Sequence, residues 1–135
     1  TFPKKLIFLL SLKLSEFYTT AIQEAIDNDK IDIVYYLLLK RDKISFGCCN
    51  DLKNLKKIAI PPSIKYIECK AFYGCSSLTH VCLPSSLESI GNHAFAKCIS
   101  LRDINIPDSV KSIDEYAFSE CSSLVKIKIP SSITK

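Results

Sequence analysis

Several residue types and sequence motifs are missing from this chain of 135 residues. It has no tryptophan or methionine, and histidine occurs only twice, as His80 and His93. None of the G-x-S-x-G, P-loop and H-E-x-x-H motifs is present. No apolar stretch approaches the ~18 residues that a membrane span requires. The scarcity of histidine, the missing catalytic motifs and the lack of a long apolar run predict a protein with no catalytic residues, no cofactor and no membrane span in this segment.

Clusters of basic residues are also missing. The net charge is +4, from 18 Lys and Arg against 14 Asp and Glu, and the charges are spread along the chain. A nucleic-acid-binding surface requires a concentrated basic patch, so nucleic acid is not an expected partner. The hydrophobic fraction of 47% is ample for a packed core.

The chain does contain a 23-residue repeat from Leu55 to Lys135. A fixed period in the twenties is typical of a solenoid, in which each copy forms one coil stacked on the previous one. The positions that recur every 23 residues are Pro61, Pro84, Pro107 and Pro130; Phe72, Phe95 and Phe118; Cys75, Cys98 and Cys121; and Leu55, Leu78, Leu101 and Leu124.

Each coil begins with the pattern of a short strand. In the coil that starts at Leu78, Val81 and Leu83 alternate with His80 and Cys82, which is the period of a strand with one buried face. The following Pro84 has no N–H to donate, so it ends the strand and turns the chain.

The rest of the coil predicts a return path with a second apolar layer. Leu87 and Ile90 suit a short extended or turn segment, and Gly91-Asn92 suits a corner. Ala94, Phe95 and Cys98 have offsets that fit a single helical turn. Stacking would place like residues above like, which predicts continuous ladders of Phe, Cys and aliphatic side chains in one core.

This repeat resembles the BspA-type leucine-rich repeat. The pattern Leu-x-x-Val-x-Leu-Pro-x-Ser-Leu-x-x-Ile-x-x-x-Ala-Phe-x-x-Cys carries the resemblance over residues 55–135, about three and a half copies. The resemblance implies a leucine-rich-repeat solenoid with short parallel strands. It also implies adhesion and protein recognition, on surface proteins of anaerobic bacteria and in parasitic protists, with no catalytic activity.

The outward strand positions are the candidate binding residues, because they vary while the inward positions stay apolar. In solenoids such stacked outward columns form the extended binding face. We predict that this face contacts a protein partner through Lys57, His80, Cys82, Asp103, Asn105, Lys126 and Lys128, beside Ala59.

The seven cysteines do not predict a metal site. None has the C-x₂₋₄-C spacing of a zinc site, and His80 with Cys82 would supply only two ligands. The register shared by Cys75, Cys98 and Cys121 favours buried free thiols over disulfides, since a free cysteine packs as a small hydrophobe. His93 shares its column with Lys70 and Tyr116, which suggests an outward and tolerant position.

Residues 1–45 have a helical period instead. Apolar residues recur at helical spacing from Leu6 to Leu14 and again from Ala21 to Leu38. The second region resembles one ankyrin repeat, through Thr20-Ala21, Ala25, Asp32-Ile33-Val34 and Leu37-Leu38. Gln23 and Asp29 depart from that family's pattern, and a plain helical hairpin is the alternative. Residues 46–54 are predicted to form a linker or a degenerate capping coil.

The predicted fold is therefore an α+β repeat protein, with an ankyrin-like helical hairpin preceding the solenoid. The chain begins at Thr1 and ends inside a fourth repeat, which predicts a fragment of a longer protein. Two functions stay open. One is a non-catalytic recognition module with a cell-surface or adhesion role. The other is a cytoplasmic scaffold or a regulatory arm of a larger protein, favoured by seven unpaired cysteines.

Overall fold

The structure is a computed structural model that describes residues 20–39 and 41–133. The predicted helical pattern from Leu6 to Leu14 lies outside the described residues. Within them, two helices precede and adjoin a series of short strands. The bounds are α1 20–27, α2 Ile31–Leu38, β1 Lys43–Ile44, β2 Lys57–Ala59, β3 Tyr66–Ile67, β4 His80–Cys82, β5 Ser89–Ile90, β6 Asp103–Asn105, β7 Ser112–Ile113 and β8 Lys126–Lys128.

The strands form two parallel stacks on opposite sides of each coil. The three-residue strands pair β2 with β4 and β6 with β8, and the two-residue strands pair in the order β1-β3-β5-β7. Every pairing joins residues 23 positions apart, as in Lys57 with His80 and Ser89 with Ser112. The predicted solenoid of 23-residue coils is thereby confirmed. The strand pairing of the second side was not predicted, since that side was expected only as an extended or turn segment.

The proline after each three-residue strand begins a tight turn. Leu87 N–H donates to the carbonyl of Pro84 at 3.1 Å, and the equivalent bond recurs in the other coils. The serine in this turn bonds to the preceding coil, as when Ser86 Oγ donates to the carbonyl of Ile64 at 2.7 Å. Three of these serines, Ser63, Ser86 and Ser132, use their hydroxyls in this way to hold the corner to the preceding element.

In the stack of three-residue strands, one junction between successive coils is looser than the others. Between β4 and β6, the nitrogen of Arg102 lies 3.5 Å from the carbonyl oxygen of Thr79, whereas Val125 N is 3.0 Å from Arg102 O in the next step. Ser109, the corner serine of this step, has a buried Oγ without a hydrogen-bond partner among the described residues. The paired strands β5 and β7 hold these two coils together on the other side.

The prediction of a helical turn at Ala94 to Cys98 is wrong. The segment is a run of turns in which His93 and Lys97 both adopt left-handed φ angles, of 58° and 60°. Phe95 N–H donates to Ala117 O in the next coil, while the neighbouring Ala96 N–H stays within its own turn. A helix would use all these N–H groups locally, and stacked coils need every second one for the neighbour.

The core is one continuous set of buried side chains. Phe72 and Phe95 are fully buried and their ring centroids lie 5.1 Å apart, and Phe95 and Phe118 follow at 5.5 Å with nearly parallel rings. This arrangement confirms the predicted Phe ladder. Cys49 lies 23 residues before Phe72 and occupies the equivalent ladder position in the preceding coil. It is also fully buried.

The helices pack onto the first coil of the solenoid. Their inner residues Ile26, Val34 and Leu38 are buried in the same core as Ile44 of β1. Gln23 Nε2 donates to the carbonyl of Cys48 at 3.3 Å, and Ser63 Oγ donates to the carbonyl of Leu38 at 3.2 Å.

In the second of these bonds, the last turn of α2 takes the place of a preceding coil, since the equivalent serines bond to coil carbonyls. Asp29, between the helices, has a left-handed φ of 58°. Glycine adopts this conformation most easily, and glycine is the residue expected there from the ankyrin resemblance. That resemblance stays a prediction.

Candidate binding face

Three of the four three-residue strands, β2, β4 and β6, place their first and third side chains outward and the middle one in the core. The alternation is exposed-buried-exposed in β2, β4 and β6, with Ile58, Val81 and Ile104 as the buried members. This alternation follows from the pleat of the strand, in which successive side chains point to opposite faces. The predicted inward and outward assignment is therefore correct for these three strands.

Pairing in register converts the outward positions into two columns. Lys57 lies beside His80, and Asp103 beside Lys126. Ala59 lies beside Cys82 in the second column. All seven residues predicted from sequence line one groove of about 730 Å³, and they are Lys57, His80, Cys82, Asp103, Asn105, Lys126 and Lys128.

The groove has a boundary that the repeat pattern did not predict. Ile31, the first residue of α2, lines it together with the strand residues. The helical hairpin therefore contributes an apolar side chain to the groove as well as covering the first coil. The sequence offers no signal for this contact, because Ile31 lies outside the repeat.

Positive charge dominates the groove. Its lining contains three lysines, Lys57, Lys126 and Lys128, against one carboxylate, that of Asp103. The ion pairs found among the described residues, Lys43 with Glu68 and Lys97 with Glu120, both lie outside the groove.

One polar side chain at the middle of the groove, that of His80, is held by local hydrogen bonds. The imidazole of His80 is bonded through Nδ1 to Thr79 Oγ1 at 2.9 Å, and that hydroxyl donates to Lys56 O at 3.1 Å. Cys82 follows His80 on the same face and is exposed. Within residues 20–39 and 41–133, no three His, Cys, Asp or Glu side chains are grouped so as to hold a metal ion.

The cysteine ladder, formed by Cys75, Cys98 and Cys121, lies away from the groove, and its thiols are unreactive at neutral pH. Burial raises the pKa of Cys75 to about 12 and also raises the pKa values of Cys98 and Cys121. A thiol is nucleophilic only as the thiolate, so these three groups are poor candidates for chemistry at neutral pH. All seven cysteines lie among the described residues, and none of them forms a disulfide.

A row of aromatic rings on the turn side of the coils was not recognised from sequence. His93 stacks on Tyr116 with ring centroids 5.1 Å apart, and Tyr73 lies 6.3 Å from His93. Lys97 Nζ lies 5.6 Å from the Tyr73 ring, and a hydrogen bond to Tyr73 raises the pKa of Lys97. The sequence signal for this row is the column shared by His93 and Tyr116, which by itself indicates only an outward position that tolerates substitution.

Comparison with known proteins identifies this architecture. The profile of the BspA type leucine rich repeat region matches residues 42–135, with six copies. The chain belongs to the BspA-type leucine-rich repeat family. The match begins just before β1, so this repeat region includes the strand and turns that precede the clear 23-residue pattern.

Solved leucine-rich repeat structures support the same assignment. A leucine rich cell surface protein from Faecalibacterium prausnitzii is 32% identical, with a TM-score of 0.67 over 69% of this chain and 24% of its own. The leucine rich repeat protein of T. pallidum is 35% identical, with a TM-score of 0.67 over 68% of this chain and 43% of its own.

A leucine-rich repeat protein from Bacteroides capillosus is 30% identical, with a TM-score of 0.58 over 63% of this chain and 60% of its own. The chain thus spans less than two thirds of the length of each of these proteins. No curated protein matches the chain. No helix in the described part of this leucine-rich repeat protein is long and apolar enough to cross a membrane.

Proposed function

We propose that this chain is a non-catalytic protein-recognition module that binds its partner through the groove of the three-residue strands. The observation that carries the proposal is the gathering of seven variable side chains on one groove, above strand residues that stay apolar. Aligned columns of side chains on a rigid stack form an extended contact surface, so the backbone of the stack loses little conformational entropy when a partner binds.

The experiment is a selection of random peptides displayed on phage against the immobilised protein. The enriched peptides should bind the native protein and lose most of their affinity for the triple variant Lys57→Ser, Asp103→Ser, Lys126→Ser. The matched control is Lys65→Ser, Glu88→Ser, Lys111→Ser, which also removes two lysines and a carboxylate but does not touch the groove lining. The proposal would be contradicted if the peptides lost equal affinity for both variants, or if they lost none for the groove variant.

A cell-surface or adhesion role is our proposal for the setting in which the module works. Its support is the likeness to the F. prausnitzii cell surface protein, of which this chain covers 24%. Intact cells that make the protein should then be labelled on Cys82, an exposed thiol, by a maleimide that cannot cross membranes. Labelling only after lysis would contradict the surface role.

A second candidate is a cytoplasmic scaffold or a regulatory repeat arm of a larger protein, and seven cysteines without a disulfide among them favour it. Thiols stay reduced in the cytosol, whereas oxidising compartments promote disulfides. Protein trapped with an alkylating agent at lysis and then unfolded should carry seven alkylated thiols. Substantially fewer would argue for an oxidising compartment and against this candidate.

A further inference from the structure

The groove has a charge pattern that narrows the kind of partner it accepts. Its positive groups stand on the first and the last of the described three-residue strands, with Lys57 on β2 and with Lys126 and Lys128 on β8. The middle strands contribute His80 and Cys82 from β4 and Asp103 and Asn105 from β6. A partner with carboxylates at both ends and a neutral centre complements this pattern.

The width of the face favours an extended chain over a helix. Each strand offers two outward side chains, two residues apart, so the columns are separated by roughly 6.6 Å. A helix with its side chains is about 10–12 Å across, which exceeds that separation. The small side chains of Ala59 and Cys82 leave space in the second column for a backbone to pass.

The distance between the positive ends sets the spacing of the carboxylates. Lys57 and Lys126 are three coil steps apart in one column, which is roughly 14 Å at about 4.8 Å per step. An extended chain advances about 3.4 Å per residue, so it covers this distance in about four residues. An even number of residues returns the side chain to the same face of the chain.

We propose that the groove binds an extended, acidic protein segment with two carboxylate side chains four residues apart. This inference rests on the proposed function and names the chemistry of its partner. One carboxylate contacts Lys57, and the other contacts Lys126 and Lys128. The residue midway between them is neutral, because it faces His80 and Asp103 and a third carboxylate would be repelled by the latter.

The test uses four synthetic nonapeptides with the full chain. The first is Ac-SGESNSESG-NH₂, with its two glutamates four residues apart. The second places the glutamates three residues apart, which puts them on opposite faces of an extended chain. The third and fourth replace both glutamates of the first by glutamine and by lysine. Binding is measured from amide chemical shifts, and from the alkylation rate of Cys82, with the partly buried Cys69 outside the groove as the internal reference.

We expect the first peptide to slow alkylation of Cys82 but not of Cys69. It should bind about five-fold more tightly than the glutamine peptide, since two exposed ion pairs typically give that gain, and the advantage should shrink as salt is added. Lys126→Gln should weaken its binding, while the control Lys65→Gln should leave it unchanged.

Three results would overturn the inference. Equal binding of all four peptides at Cys82 would show a groove that recognises chains without regard to charge, and the proposed function would stand. Tighter binding of the peptide with the three-residue spacing would refute the extended geometry. No protection of Cys82 by any peptide would refute the acidic partner, and the phage selection would then decide separately whether the groove binds protein at all.

Discussion

The Sγ of Cys98 donates a hydrogen bond to the carbonyl oxygen of Phe72, 3.2 Å away and 26 residues earlier. The same bond joins Cys75 to Cys49 O at 2.9 Å and Cys121 to Phe95 O at 3.0 Å. The ladder cysteine therefore has two roles. Its sulfur fills space in the core as a small apolar group, and its S–H satisfies a carbonyl lone pair of the preceding coil.

Cys98→Ala is expected to lower the free energy of unfolding by about 1–2 kcal/mol. The substitution leaves a small cavity and removes one of the bonds to the buried Phe72 carbonyl. Urea denaturation measures the change. Cys82→Ala is the matched control and should stay within about 0.5 kcal/mol, because Cys82 is exposed. Equal effects of the two substitutions would contradict a structural role for the ladder thiol.

Stability should fall as the pH rises above 9. An unfolded cysteine ionises near its ordinary pKa of 9.0, whereas burial raises the pKa of Cys75 to about 12 and raises that of Cys98 as well. Above pH 9 the unfolded state releases protons that the folded state retains, so unfolding becomes easier. The stabilising contribution is complete below pH 9 and is lost between pH 9 and about 12.

Urea midpoints measured from pH 8 to 10.5 would check this dependence. Cys75→Ala should give a shallower decline than the native chain, since one raised pKa is removed. Cys82→Ala serves as the control and should keep the native slope. Parallel curves for the native chain and Cys75→Ala would contradict the raised pKa of Cys75 as a source of the pH dependence.

Phe95→Ala should destabilise the solenoid more than Phe118→Ala. Phe95 is fully buried, with Phe72 on one side and Phe118 on the other, whereas Phe118 is only partly buried. Removing a buried phenyl ring typically costs about 3–5 kcal/mol of unfolding free energy. Removing a ring that is covered on one face only costs less. Guanidinium unfolding of the two variants gives the comparison. A larger loss at Phe118 would show that nearest-neighbour stacking does not set the stability of the coils.

Gly91→Ala should be more damaging than Gly47→Ala. A Cβ at Gly91 would lie 2.8 Å from the backbone nitrogen of Cys69 and 2.8 Å from the carbonyl carbon of Glu68, so the coils would have to separate. Overpacking of this kind typically costs about 1–3 kcal/mol or more. At Gly47 the nearest atom is 3.9 Å away, and only the φ of 62° opposes alanine, which costs about 1 kcal/mol. Thermal unfolding would rank the two variants, and the reverse order would contradict the close approach at Gly91.

The groove could be predicted because its residues obey a rule that is visible in sequence. The column positions of Lys57, His80 and Asp103 change chemistry from coil to coil, while Ile58, Val81 and Ile104 beside them stay apolar. Alternation along a strand then assigns each residue to a face. Ile31 could not be assigned in the same way, because its contact with the groove depends on how α2 packs on the first coil.

The second stack of strands and the first coil were harder to foresee. A two-residue strand such as Ser89–Ile90 is too short to display a period. In the first coil Cys49 stands where later coils have Phe, and Gly47 stands where they have Lys70 or His93. The core accepts any apolar side chain at the ladder position. The left-handed positions tolerate several residue types, so neither position keeps a signature that sequence comparison within the chain can detect.

The 23-residue period, the identity of the ladder residues and the face to which each strand residue belongs all follow from the order of the amino acids. How deeply each of these side chains is buried depends instead on the packing of neighbouring coils. Ile104 and Ile127 occupy equivalent positions, yet Ile104 is 4% exposed and Ile127 is 38% exposed. The strand of Ile104 has coils on both sides, whereas β8 has a paired strand only on the β6 side among the described residues. An apolar side chain in a solenoid is buried by the coils on either side of it. Equivalent repeat positions are therefore equally buried only where each has the same neighbouring coils.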